Sequence, residues 1–318
     1  MASIASAAAT KIGKCGIDFG TSACKVAACN GESLSDLDAK VIVDPMGDFS
    51  IASYVAVDDE GGYVVGNTAR QQMERRAKYT VAHVKKSLGV EGGTVSLVTN
   101  LGKKVVVAPE KIASILLNQV VSVASEGEGV DMKNAVVAVP HGCSEARLKA
   151  MAETAKQSGL NVLQFISESS AVALAYGLDE ETTEAGNYLI VDIGFEATRV
   201  SVLSASNGFF SVKHFKEIAG VGGNAMSERI VALCVRDFMD KHGKDLKDNG
   251  RAMLKLQAAC EHAKHTLSVS TRAVVEVDAL ADGVDFRKLV NQASFESECS
   301  DLFTKMLEGI GATLKDAG

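Results

Sequence analysis

The sequence predicts an α/β protein with an internal duplication. Strand-like and helix-like segments alternate from one end to the other, and one strand–turn–strand motif occurs twice. The 318 residues are 47% hydrophobic and 23% charged, enough apolar material for sizeable cores. There is no Trp and aromatics make up 5%, so those cores must be aliphatic.

Length admits one large domain or two of ordinary size. A net charge of −7 argues against a general nucleic-acid or acidic-membrane surface. Seven Cys without a Cys-x-x-Cys pair read as reduced thiols of a cytosolic protein. The first ten residues lack a basic segment and an apolar core, so they read as a flexible tail rather than a signal peptide. No apolar run approaches membrane-spanning length.

The first motif copy is Lys14-Cys15-Gly16-Ile17-Asp18-Phe19-Gly20-Thr21-Ser22-Ala23-Cys24-Lys25-Val26. An apolar run enters, Asp18 and Gly20 turn the chain, and a β-prone run leaves, which predicts a tight hairpin. Gly20 permits close backbone approach to a ligand, and Thr21 and Ser22 offer hydroxyls and amides to an anion. Asp18 is placed to hold a hydrated cation beside that anion. The second copy runs from Leu189 through Asp192, Gly194 and Thr198 to Leu203. Two such hairpins suit a polyphosphate clasped from opposite sides, with Asp18 and Asp192 addressing one metal ion. Without the repeat, both aspartates would read as ordinary turn caps.

Between and beyond the hairpins the elements follow in order. Val41–Val43 and Tyr54–Val57 read as strands around a turn at Pro45–Gly47, and Gly61-Gly62 permits another hairpin. A helix is predicted over Asn67–Arg76 and a short amphipathic segment over Tyr79–Leu88. Pro109 starts a helix with Ile112, Ile115, Leu116, Val120 and Val123 on one face, broken by Gly127 and Gly129. Ala135–Val139 is a buried strand ended by Pro140. Ser144 caps a helix closed by Gly159, Val162–Ile166 is a strand, and Ser169-Ser170 opens a short helix ending at Gly177. The polar stretch Asp179–Gly186 reads as a linker. After the second hairpin, extended by Gly208–Lys216, Gly220-Val221-Gly222-Gly223 leads into a helix to Lys241. A helix over Arg251–Leu267, a strand over Ala273–Val277 and one last helix from about Asn291 complete the chain.

In this order the blocks resemble the nucleotide-binding domain of the seventy-kilodalton heat-shock (DnaK-type) chaperones, of the actin-like ATPase superfamily. Gly16–Thr21 is similar to the first phosphate loop, and Ala135–Pro140 with Glu168-Ser169-Ser170-Ala171 to the connecting segment. The resemblance implies that Lys85 orients the attacking water, that Glu168 positions it, and that Asp192 takes part in catalysis. It implies phosphate contacts from Gly20, Thr21, Ser22, Gly194, Gly222 and Gly223, and adenosine contacts from Glu261, Lys264, His265 and Ser268. His265 stands where the family usually has arginine. The implied cofactors are ATP or ADP with Mg, held through water by Asp18 and Asp192.

The resemblance also implies a two-lobed actin-like ATPase fold with ribonuclease-H-like duplicated lobes. Lobe I would span 1–180, with core 12–44 and 109–180 and a peripheral insert at 45–108. Lobe II would span 181–318, with core 186–221 and about 300–318 and an insert at 222–299. Gly318 precedes the family's next strand, so the fold is expected to be truncated at its C-terminus, without a peptide-binding domain and with weakened nucleotide affinity. Thr21–Cys24, Arg251–Leu256 and Asp278–Gly283 most resemble the divergent ribosome-associated branch. That branch pairs with a zuotin-type J-domain protein and acts on a partner chaperone.

The departures concern the second phosphate loop. The family's loop is glycine-rich, with a threonine and then an aspartate following; here Phe195, Glu196, Ala197 and Arg199 occupy those positions. A non-glycine residue forced into a left-handed turn costs about 1–2 kcal/mol. Glu196 at ~4 Å from a phosphate would cost on the order of 4 kcal/mol at an intermediate dielectric, offset in part by Mg²⁺ or Arg199. Ala197 removes a hydroxyl donor. The expected function is therefore nucleotide binding with little hydrolysis, assisting nascent-chain folding in the cytoplasm through a J-domain partner at the ribosome. The alternatives are a working chaperone ATPase and a small-molecule kinase of the same superfamily. No direct nucleic-acid or membrane contact is expected. His262 with His265 reads as helix surface rather than a metal site, and His141 with Cys143 lacks the orienting partner of a nucleophile–base pair.

Overall fold

Strand β1 (Ile12–Asp18) turns back into β2 (Ala23–Asn30), with Asp18 opposite Lys25. In the computed structural model, which describes residues 12–30, 38–181 and 183–318, this hairpin is the middle of a mixed sheet. The tail expected before it lies outside the described residues. The sheet runs β11–β10–β1–β2–β3, with β3 at Asp38–Val41, β10 at Asp131–Val139 and β11 at Asn161–Ser167. β10 lies parallel to β1 and to β11, and β4 (Ile51–Ala52) pairs with β2.

Contacts divide the chain into two compact units, Met1–Ala171 and Val172–Gly318. The division falls inside α4 (Glu168–Ala175).

In the first unit, α2 (Pro109–Glu128) and α3 (Glu145–Gln157) supply the helical layer. Proline sits at the start of α2, where its missing N–H has no intrahelical partner to lose. Ile112, Leu116, Leu117 and Val120 repeat at helical spacing and are fully buried with Ile17, Phe19, Val26 and Val137. Ser144 caps α3 through the Arg147 amide. A smaller sheet, β6–β5–β7, is built from Tyr63–Val65, Tyr54–Val57 and Thr80–Ala82, with α1 over Asn67–Arg76.

In the second unit, β12 (Gly186–Ile193), β13 (Ala197–Ser206) and β14 (Phe209–Ala219) form an antiparallel sheet. Helices α5 (Gly223–His242) and α6 (Gly250–Leu267) pack with the ribbon β15 (Arg272–Ala281) and β16 (Val284–Asn291) around Phe238, Leu256 and Phe286. Helix α7 (Gln292–Glu298) leads into α8 (Ser300–Ala317), whose Leu302 and Met306 pack beside Val221 and Ile218.

Several predicted elements differ. The ribbon β8 (Val95–Val98) and β9 (Lys104–Val107) is not among the expected elements, nor is β16. β3 ends at Val41 instead of continuing through Val43. Gly127 lies within α2, and Gly129, at φ 65°, ends it. Tyr79–Leu88 is not one amphipathic segment: it is β7 followed by a 3₁₀ turn at Val84–Ser87. The single final helix is two, broken at Cys299 (φ −98°, ψ 4°).

Candidate functional site

In the first unit, the turn between β1 and β2 closes only because residue 20 has no side chain. A Cβ there would lie 2.1 Å from the Ala23 carbonyl oxygen. The Gly20 carbonyl accepts from Ser53 Oγ at 2.9 Å, and the Ser53 amide donates to the Ser22 carbonyl at 2.8 Å. His83 Nδ1 sits 3.0 Å from the Thr21 carbonyl; a carbonyl only accepts, so Nδ1 carries the proton. Its ring meets Tyr54 edge-on at 5.3 Å. Cys24 points inward, and burial pushes its thiol up to about 12, which removes it as a nucleophile.

His83 is left-handed (φ 56°, ψ 39°) and starts the 3₁₀ turn that carries Lys85. The lysine is 8% exposed, and its Nζ lies 3.7 Å from Glu168 Oε1 at the first residue of α4. At that spacing the two charges form an ion pair just beyond hydrogen-bonding distance. The sequence-predicted pair Lys85 and Glu168 is thus brought together, and the Gly20–Ser22 turn is joined to it through His83. Sequence reasoning missed Ser53 and His83. The signal for them is long-range packing of β4–β7 against the hairpin, which local patterns do not carry.

In the second unit, Asp192 of β12 stands opposite Arg199 of β13, and Arg199 opposite Glu217 of β14. Arg199 Nε is 2.9 Å from Glu217 Oε2. The Gly194 amide donates to the Ala197 carbonyl at 3.0 Å, closing the loop. No residue from Gly194 to Ala197 is left-handed. The strain expected for Phe195 and Glu196 is therefore not incurred: the turn carries both side chains at negative φ.

The loop is fastened by its main chain to the start of α5. The amides of Gly223 and Asn224 donate to the carbonyls of Gly194 and Phe195, each at 2.9 Å, and the Gly220 amide donates to the Glu196 carbonyl at 3.0 Å. A Cβ on Gly222 would lie 2.7 Å from both the Gly194 and the Phe195 oxygens. Thr198, fully buried, donates its hydroxyl to the Val221 carbonyl at 2.8 Å.

From α6, Lys264 Nζ donates to the Gly223 carbonyl at 3.0 Å and to both Glu261 oxygens at 2.9 Å. Ser227 of α5 donates to Glu261, and His265 Nε2 lies 3.0 Å from Glu261 Oε1. Burial pushes the Glu261 carboxyl up, but the hydrogen bonds from Ser227 and Lys264 and the charges of Lys264 and His265 outweigh it and hold the group below the usual carboxylate range. Glu261, Lys264 and His265 thus form one cluster on α6, and Lys264 ties it to the glycine turn. Ser268, the exposed C-terminal cap of α6, lies on the same helix face but makes no side-chain hydrogen bond to the three among the described residues. Ser227 and Glu217 are the partners that sequence reasoning missed. Among the described residues no cluster of three His, Cys, Asp or Glu forms a metal centre.

Comparison with known proteins adds an independent finding. A family model described as Hsp70 protein matches residues 14–318. The putative heat shock 70 kDa protein 7 of Homo sapiens is 35% identical, over 95% of this chain and 86% of its own length. A heat shock 70 kDa protein of Neurospora crassa is 33% identical over 95% of this chain and 49% of its own. A ribosome-associated molecular chaperone of Zygosaccharomyces rouxii is 31% identical over 96% and 52% respectively. The chain spans about half the length of the two fungal relatives.

Proposed function

The chain belongs to the Hsp70 family and corresponds to its nucleotide-binding domain, and from that premise we propose that it binds ATP or ADP with Mg²⁺, with little or no hydrolysis, and assists nascent-chain folding at the ribosome through a zuotin-type J-domain partner. The observation that carries nucleotide binding is the Glu261–Lys264–His265 cluster of α6, tied to the turn at Gly223 by Lys264. A half-buried carboxylate held ionised beside a lysine offers an acceptor to ribose hydroxyls, and the exposed His265 ring offers a face to a base.

In the first unit, Gly20, Thr21 and Ser22 present amides and hydroxyls to phosphate, and Lys85 with Glu168 holds the attacking water. In the second, Gly194, Gly222 and Gly223 allow close approach of phosphate to the main chain. Asp18 and Asp192 are half-buried at strand ends, and among the described residues neither carboxylate has a hydrogen bond or ion pair. Such hard oxygen donors suit a magnesium ion held through water. Magnesium, when bound, supplies charge neutralisation at the phosphate oxygens.

Slow hydrolysis rests on charge and donors. Glu196 adds negative charge where it develops in phosphoryl transfer, and Ala197 withholds a hydroxyl. A working ATPase is the second reading, favoured by the buried Lys85 and its pairing with Glu168. Ribosome association is supported by the name of the Zygosaccharomyces relative; a cytoplasmic location and a partner chaperone are further parts of the proposal. Calorimetric titration with ATP and ADP and single-turnover hydrolysis test the proposal together. Binding with turnover far below an active family member is expected. Absence of binding overturns the proposal, and turnover at an active member's rate selects the second reading.

A further inference from the structure

We propose that Arg199 is a phosphate-binding residue whose fixed positive charge sustains nucleotide binding by this chain when magnesium is withdrawn, an inference that rests on the nucleotide reading above. Asp192, Arg199 and Glu217 stand side by side in register across β12, β13 and β14, so all three side chains leave the sheet on one face. Glu217 engages Nε at 2.9 Å and thereby fixes the guanidinium, whose side chain is 19% exposed. Nη1 then lies 3.7 Å from the point where a Cβ on Gly194 would sit. The guanidinium thus covers the glycine whose carbonyl receives the first amide of α5, the place where the loop admits a phosphate.

A planar guanidinium suits phosphate oxygens bidentately. Arg199 also supplies donors to a loop in which the Ala197 side chain has none. The same cation sits opposite Asp192, about 4.5–5.5 Å away between Cβ atoms, where it competes with a metal ion for that carboxylate's field. The first hairpin repeats the arrangement independently, since Lys25 stands opposite Asp18. Both copies of the duplicated motif therefore place a basic side chain across from the aspartate that a metal would use.

The test is equilibrium binding of ADP, and separately of inorganic tripolyphosphate, in excess Mg²⁺ and in EDTA. Wild type, Arg199→Gln and Glu217→Gln are compared, with thermal melting to establish that each is folded. Wild type is expected to bind ADP within about threefold in the two buffers. Arg199→Gln is expected to lose about tenfold or more in EDTA, the worth of a charge-assisted hydrogen bond, and to lose less in Mg²⁺. Glu217→Gln, which keeps the cation but releases its anchor, falls between them and carries the test if Arg199→Gln does not fold. Wild-type binding that collapses in EDTA, or variants that match wild type there, overturns the inference while leaving the nucleotide reading intact. Arg199-dependent binding of tripolyphosphate without ADP binding upholds the inference and removes the nucleotide reading. Binding of neither ligand removes both.

Discussion

Gly20 is a glycine because of a close approach: its Cβ position is 2.1 Å from a backbone oxygen that has nowhere to go. Gly20→Ala is expected to cost about 1–3 kcal/mol, as overpacking does, read as a lowered urea midpoint at unchanged slope. Glu261 makes a pH prediction. Its folded-state pKa lies below the unfolded value of about 4.3. The stability it contributes is therefore fully present above that pH and lost as pH falls through the lower folded value. The gap in melting temperature between wild type and Glu261→Gln should be open at neutral pH and close as the solution is acidified below about pH 4. Lys85→Ala should slow single-turnover hydrolysis by about a hundredfold, the cost of one lost electrostatic donor, with ADP affinity within a few-fold. Gly20 is legible in the sequence from its turn, whereas Lys85 and Glu261 are legible only through the family resemblance. Ser227, His83 and Glu217 are not legible, because each is defined only by the chain segment that folding brings to it.

The two hairpins and the helices α1, α2, α5 and α6 follow from local pattern: turn residues between β-prone runs, Pro at the start of α2, Gly at its end. The ribbon β8–β9 escapes such a reading because both strands are short and the exposed Val106, between Val105 and Val107, hides the alternation of β9. β16 does carry a signal, an Asp282-Gly283 turn with both residues at positive φ. The break between α7 and α8 is invisible to periodicity, since Phe295 and Leu302 keep helical spacing across it. Helix α8 comes close to its sheet at Gly309, where a Cβ would lie 2.1 Å from Ile218 Cδ1. Gly309→Ala should destabilise the chain despite alanine's better helix propensity. Ile218→Val, which deletes that methyl, should recover part of the loss in the double mutant, a coupling visible as non-additive denaturation midpoints.

At the scale of the molecule, each unit has its own cores: Leu116 is buried only among residues of the first, Leu256 only among residues of the second. Leu116→Ala should cost about 2–5 kcal/mol and lower amide-exchange protection in β1, β10 and α2 first. The α/β class and the duplication are legible from the alternation of segments and the repeated aspartate–glycine turn. The conformation of the second loop is not, because its shape does not depend on glycine as the pattern suggests. It is fastened instead by the carbonyls of Gly194, Phe195 and Glu196, atoms every amino acid possesses. Mutation can therefore rewrite the side chains at 195–197 without dismantling the frame that holds them. A lineage under relaxed selection for turnover can drift at these three codons while Gly222, which meets the frame itself, stays invariant. Such a chain sheds catalysis before it sheds its fold, and can be inherited as a nucleotide receptor long after it has stopped being an engine.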